Sequence, residues 1–223
     1  MSDSAAKPDL SRLYQDTHAR LAVLVAGLDD PALAAPVPAC PGWSVQDVVA
    51  HLLAVSEDAV AGRLTGPPTD EQTAAQVARF RGHDIRDMLA SWELTAAPFG
   101  ELLAAFDVWP GVIDIASHEQ DIRGAVGRPG ARDTEVVRLC AGALIEYLTP
   151  PVPMRVAVED AEFRVGPDEG DELGLATCTF EALRWGMGRR SRAQLAALDW
   201  SGDPAPVLDH LVIFGPAASD IIE

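Results

Sequence analysis

The chain has 223 residues, 48% hydrophobic and 23% charged, a globular composition long enough for one large domain or two modest ones. Seventeen basic against 34 acidic residues leave a net charge of −17, which repels nucleic-acid phosphates and anionic membrane surfaces and argues against both as partners. No uncharged apolar run reaches the roughly 18 residues of a membrane span, and the opening MSDSAAKPDL lacks the basic-then-apolar pattern of a leader.

Helical signals dominate residues 8–149. PDLSRLYQDTHARLAVLVAGL has apolar residues at helical spacing and ends at DDP. A Pro/Ala-rich connection follows. Ser44 then reads as an N-cap, with Asp47 complementing the helix dipole in the first turn. This second helix is expected to reach Leu64 and stop at TGPP. Thr69 caps a further stretch to about Arg81, and Gly82 breaks it. IRDMLASWELTAAPFGELLAAF continues helically, with Pro98 expected to break or bend it. Pro110 suits the first turn of a helix through about Val126, which GRPG ends. DTEVVRLCAGALIEYL is another helix, closed by TPPVP.

After Pro153 the texture changes. MRVAVED alternates as a half-buried strand does, and AEFRVGP is placed to pair with it as a hairpin. ELGLATCTF is a third candidate strand. EALRWGMG and RAQLAAL read as short helices, and APVLDHLVIF is ambiguous. The predicted fold is mainly α: a helical bundle over 1–150, then a small α+β domain over 151–223, joined near Thr149 to Pro153.

His51 lies on the helix that follows CPGWS, at the border of a stripe formed by Val45, Val48, Val49, Leu52, Val55 and Ala59. Such a position suits a ligand facing a cavity, and equally an ordinary half-buried histidine. In GVIDIASHEQDIRGAVG, Asp114 and His118 stand four residues apart on one flank of the stripe marked by Ile115, Ile122 and Val126. An acid and an imidazole at that spacing can grip one ion, and His51 from a neighbouring helix is the natural third ligand. The competing reading is an Asp–His ion pair on a surface helix. Asp121, on the same flank, either orients a ligand or is merely solvated, and Glu119 points away.

PGWSVQDVVAHL followed by DIASHEQDIRGAVGRP resembles the mycothiol-dependent maleylpyruvate isomerase family, within the DinB-like metal-binding four-helix bundles. ATCTFEALRWGMGRRSRAQLAALDWSGD resembles the C-terminal segment of its actinobacterial branch, so the likeness runs from about residue 8 to 214. The resemblance implies a divalent ion, typically zinc, held by a histidine on the second bundle helix and a Glu-x-x-x-His pair on a later one. These positions fall on His51, Asp114 and His118. Asp114 departs from the family's glutamate by one methylene, which bears on affinity and on which metal is taken. The resemblance further implies mycothiol as the thiol cosubstrate and an electrophilic small molecule, including anionic ones, as the partner. The product is isomerised or keeps the thiol.

The cysteines Cys40, Cys140 and Cys178 are odd in number and sparse, so a disulfide framework is not expected and a reducing cytoplasm is. Each reads as a small buried hydrophobe rather than a nucleophile. LRWGMGRRSRAQL concentrates Arg184, Arg189, Arg190 and Arg192 in an acidic chain. Either they pair with surface acids, or Arg189 or Arg190 forks onto a substrate carboxylate. Trp43 and Trp185 read as packing residues. A non-catalytic ligand-binding module and a metal-dependent hydrolase are the competing functions, and a monomer or homodimer is the expected assembly.

Overall fold

The computed structural model describes residues 7–159 and 161–223; Met1 to Ala6, part of the segment inspected for a leader, and Asp160, in the expected hairpin turn, lie outside the described residues. The helices run α1 Leu10–Ala26, α2 Asp30–Leu33, α3 Val45–Val60, α4 Asp70–Arg79, α5 Ile85–Phe106, α6 Trp109–Ala125 and α7 Glu135–Glu146. Then come β1 Met154–Val158, β2 Ala161–Val165, β3 Leu173–Thr177, α8 Thr179–Gly186, α9 Arg192–Ala196, β4 Asp199–Trp200 and a 3-10 turn, Leu208–His210. The result is a helical bundle with a small sheet confined to the C-terminal part. Among the described residues no helix is long and apolar enough to cross a membrane.

Two compact units form. One is Met1–Pro36 with Gly42–Glu119, the other Val37–Pro41 with Gln120–Glu223, and the division falls within α6. In the first unit the helix starts follow the sequence. Asp9 accepts from the Arg12 amide at 3.0 Å. Ser44 with Asp47, and Thr69 with Gln72, close reciprocal caps. The second bundle helix ends four residues before the expected Leu64. Gly62 adopts φ +68°, and the Arg63 amide returns to the Asp58 carbonyl at 2.7 Å, a glycine-led C-terminal stop that precedes the proline pair.

Pro98 does not break α5, which runs unbroken through it. Glu93, Leu94, Ala97 and Pro98 are all exposed, so the carbonyl left without a proline amide lies on the solvent side, where water can satisfy it. Helices α1 and α3 both pack on α5. The core between them holds Leu13, Leu21, Val49, Leu53, Trp92 and Leu103, joined by Val112, Ile115 and Ala116 of α6, each at most 2% exposed. Gly111 permits the close approach of α6: a Cβ there would lie 2.6 Å from Leu103.

In the second unit the sheet order is β2-β1-β3-β4, with β1 parallel to β3 and antiparallel to β2. The inward residues Met154, Val156, Val158 and Leu175 meet Ile145, Trp185, Leu195 and Leu211 in one core. β4 was hidden in the sequence because two residues carry no periodicity. The ambiguous APVLDHLVIF holds only the 3-10 turn. The segment 217–223 has almost no regular structure, yet it is tied down. Ala217 donates to the Arg190 carbonyl at 3.0 Å. Gln194 holds both the carbonyl and the amide of Ile221, at 2.8 and 3.1 Å. Asp220 accepts from the Ser191 hydroxyl.

Candidate functional site

Helix α3 is buried almost all round, since Ala50, Leu53 and Ala54 are as inaccessible as its expected stripe. His51 is therefore 6% exposed, inside the unit rather than on its border. Asp114 and His118 stand one turn apart on α6 and face it. His51 Nε2 lies 3.4 Å from Asp114 Oδ2, and His118 Nε2 lies 3.4 Å from Asp114 Oδ1. One ligand atom from each of the three residues falls within 4.8 Å of the others. The two imidazoles meet edge to face, with centroids 5.3 Å apart.

This arrangement fits a divalent cation. Ligands about 2.0–2.2 Å from a tetrahedral ion stand roughly 3.3–3.6 Å apart, and each imidazole lies at that distance from a different oxygen of Asp114. The shorter acid is no obstacle, because each carboxylate oxygen already reaches one imidazole. Two nitrogens and a carboxylate also suit zinc chemically and leave a position for another ligand. The Asp114 side chain is 28% exposed, so the site is reachable from solvent.

Burial acts to raise the Asp114 carboxyl. Electrostatic attraction to His118 and His51, and their hydrogen bonds, outweigh burial and hold it well below the usual carboxylate range. Tyr14 lies fully buried in the same unit. Its hydroxyl accepts from the Trp92 indole at 3.1 Å. Burial, opposed by that bond and reinforced by the negative Asp114, keeps the phenol above its usual range and so protonated. Sequence reasoning missed this group. It read Trp43 as a packing residue, and the Trp43 ring lies 5.3 Å from His51 and 6.5 Å from His118. The Gly-Trp turn immediately before the N-cap was the available signal for Trp43. Tyr14 is separated from the ligands by far too many residues for spacing to reveal it.

The second unit gathers the arginines. Arg184 is wholly buried and pairs with Asp121 at 2.7 Å and with Glu223. Arg189 donates to Asp121 at 2.9 Å and 3.4 Å. Arg190 forks onto Glu181 at 2.7 and 2.8 Å and meets Glu223 at 3.4 Å. Asp121 is thus a buried acceptor for guanidinium groups, and the solvated alternative for it is overturned. Nor are Arg184 and Arg190 surface pairs. Only Arg192, paired with Asp209, is of that kind.

None of the three cysteines lies in the first unit. Burial pushes the Cys140 thiol above its usual range. Cys178 caps α8 by accepting from the Glu181 amide at 3.5 Å, and Cys40 approaches Asp121 at 3.7 Å.

Residues 14–139 match the family model described as the mycothiol maleylpyruvate isomerase N-terminal domain. Among solved structures, the chain is similar to the mycothiol-dependent maleylpyruvate isomerase at 17% identity and to a histidine-to-alanine mutant of that enzyme at 16%. Each comparison covers 81% of this chain and 87% of the other with a TM-score of 0.50. At such identity the likeness is one of fold. No curated protein matches. The family model spans more than half of the sequence, and the chain belongs to the mycothiol maleylpyruvate isomerase N-terminal domain family.

Proposed function

We propose that this protein is a metal-dependent enzyme that activates a low-molecular-weight thiol, mycothiol, for addition to an electrophilic small molecule. The thiol is then expelled, giving an isomer, or retained, giving a thioether. The observation that carries this reading is the convergence of His51, Asp114 and His118 within 4.8 Å in a chain of this family. When bound, zinc or a similar cation supplies the positive charge that lowers the pKa of a thiol brought to it. His51 and His118 would hold the ion through their Nε2 atoms, and Asp114 through its carboxylate. The buried imidazoles exclude water from one side while the part-exposed Asp114 leaves the other open. A thiol-dependent reaction suits a reducing cytoplasm.

Arg189 and Arg190 form the second half of the proposal, as the groups that hold an anionic substrate. Arg190 supports this best. Its contact with Glu223, at 3.4 Å, is looser than its fork onto Glu181 at 2.7 and 2.8 Å.

The test is metal content followed by thiol-dependent turnover on a panel of electrophiles. His51→Ala or His118→Ala should remove both. Arg190→Ala should leave the metal bound and raise KM by roughly tenfold to more than a hundredfold, as expected for loss of a charge-assisted contact of about 1.5–3 kcal/mol. Metal binding without any thiol-dependent turnover would sink the enzyme reading in favour of a binding module. Turnover indifferent to thiol would indicate a hydrolase.

A further inference from the structure

A histidine that ligates a metal ordinarily donates its second ring N–H to a carboxylate or carbonyl, which fixes the ring. His51 lacks that support. Its Nδ1 is buried and has no hydrogen-bond partner among the described residues. Nothing polar therefore sets the rotation of this imidazole except Asp114, at the opposite nitrogen. What does lie against it is the Trp43 ring, 5.3 Å away and tilted by 48°. The same indole stacks over His118 at 6.5 Å with the planes only 27° apart. Trp43 is thus an aromatic wall common to both imidazoles.

The wall is itself held firmly. Trp43 immediately precedes the N-cap Ser44, whose amide and hydroxyl both donate to Asp47, at 2.8 and 2.7 Å. Ser44 also bridges antiparallel to Pro36, and the Val45 amide donates to the Ala35 carbonyl at 3.0 Å. The backbone carrying the indole is therefore pinned from two directions. The ring is only half-buried, so its position is not forced by the deep core.

We propose that Trp43 is a positioning residue for the candidate metal centre, and that its ring, in place of the customary hydrogen bond, fixes the orientation of His51 and, by stacking, that of His118. Aromatic pairs prefer offset or edge-to-face geometry, so an indole in contact with both rings restricts the rotations that would turn either Nε2 away from Asp114. The consequence for metal affinity rests on the function proposed above; the orienting role does not.

The experiment compares wild type, Trp43→Leu and Trp43→Phe in the full chain with two readouts. The first is NMR of the imidazole side chains in metal-free protein. The second is zinc affinity by competition with a chromophoric chelator. In Trp43→Leu the His51 and His118 ring signals should collapse toward motionally averaged positions, and zinc binding should weaken by about tenfold, the low end for losing an orienting partner. Trp43→Phe should restore both, since a ring is kept. Undisturbed imidazole signals in Trp43→Leu overturn the proposal. So does a Trp43→Phe variant as impaired as Trp43→Leu. If wild type takes no zinc, the metal reading falls by itself, and the NMR comparison still decides the role of Trp43: averaged signals support it, undisturbed signals refute it.

Discussion

Lengthening the acid at position 114 to glutamate tests whether the site is built to the shorter side chain. In the structure both carboxylate oxygens of Asp114 already sit 3.4 Å from an imidazole Nε2. Asp114→Glu adds one carbon–carbon bond, about 1.5 Å, against a tolerance of about 0.2 Å in ligand distance. The longer side chain has to bend into an unfavourable rotamer, at about 0.5–1.5 kcal/mol, or crowd the two rings, at about 1–3 kcal/mol. Partial exposure of the side chain favours bending, so the expected penalty is about 1–2 kcal/mol, or roughly 5- to 30-fold weaker zinc binding. Competition against a chromophoric chelator at fixed pH measures it. Asp114→Asn, which keeps the shape and loses the charge, should bind still more weakly. Should Asp114→Glu bind zinc as tightly as wild type or tighter, while His51→Ala does not bind it, the carboxylate position seen here is not the one that meets the ion.

Arg184→Met should destabilise the protein by about 3 kcal/mol, the low end for breaking a buried pair, because Asp121 keeps Arg189 at 2.9 Å and Glu223 keeps Arg190 at 3.4 Å. Calorimetry should show a Tm lower by about 6 °C for cooperative unfolding of a chain this size; a Tm equal to or above wild type would refute the buried network. His18 predicts the direction of a pH effect. Burial, opposed by Glu93, lowers its pKa, so the unfolded chain takes up the proton more readily. Stability is then full above the ordinary histidine pKa of about 6.5 and falls as pH drops through it toward the folded pKa, below which the loss levels off. His18→Leu should flatten the fall in Tm between about pH 7 and 5, and an unchanged slope would remove His18 as its source.

Local chemistry carried most of what the sequence made legible. Ser44 and Thr69 announced their helices because an N-cap acts within three residues, and Asp114 and His118 declared a shared flank because one helical turn separates them. His51 could be joined to them only through the family resemblance, since spacing says nothing across 63 positions. The break expected at Pro98 did not occur: the orphaned carbonyl lies at an exposed position, where water can satisfy it. Asp121 was left open between two readings for the opposite reason. Its arginine partners lie 63 and 68 residues further on, so nothing near it in sequence distinguished a buried acceptor from a solvated acid. The arginine run was visible as a concentration of charge, but the acids that neutralise it, Glu181 and Glu223, come from either side of it in the chain.

Gln194 gives the backbone of Ile221 a donor and an acceptor, and Ile221 is 6% exposed. In hydrogen exchange, its amide should therefore exchange slowly although no helix or strand encloses it. Clipping away residues 217–223 would leave the Arg184 and Arg190 guanidiniums short of a carboxylate, so this stretch behaves as a keystone of the second unit rather than as an appendage.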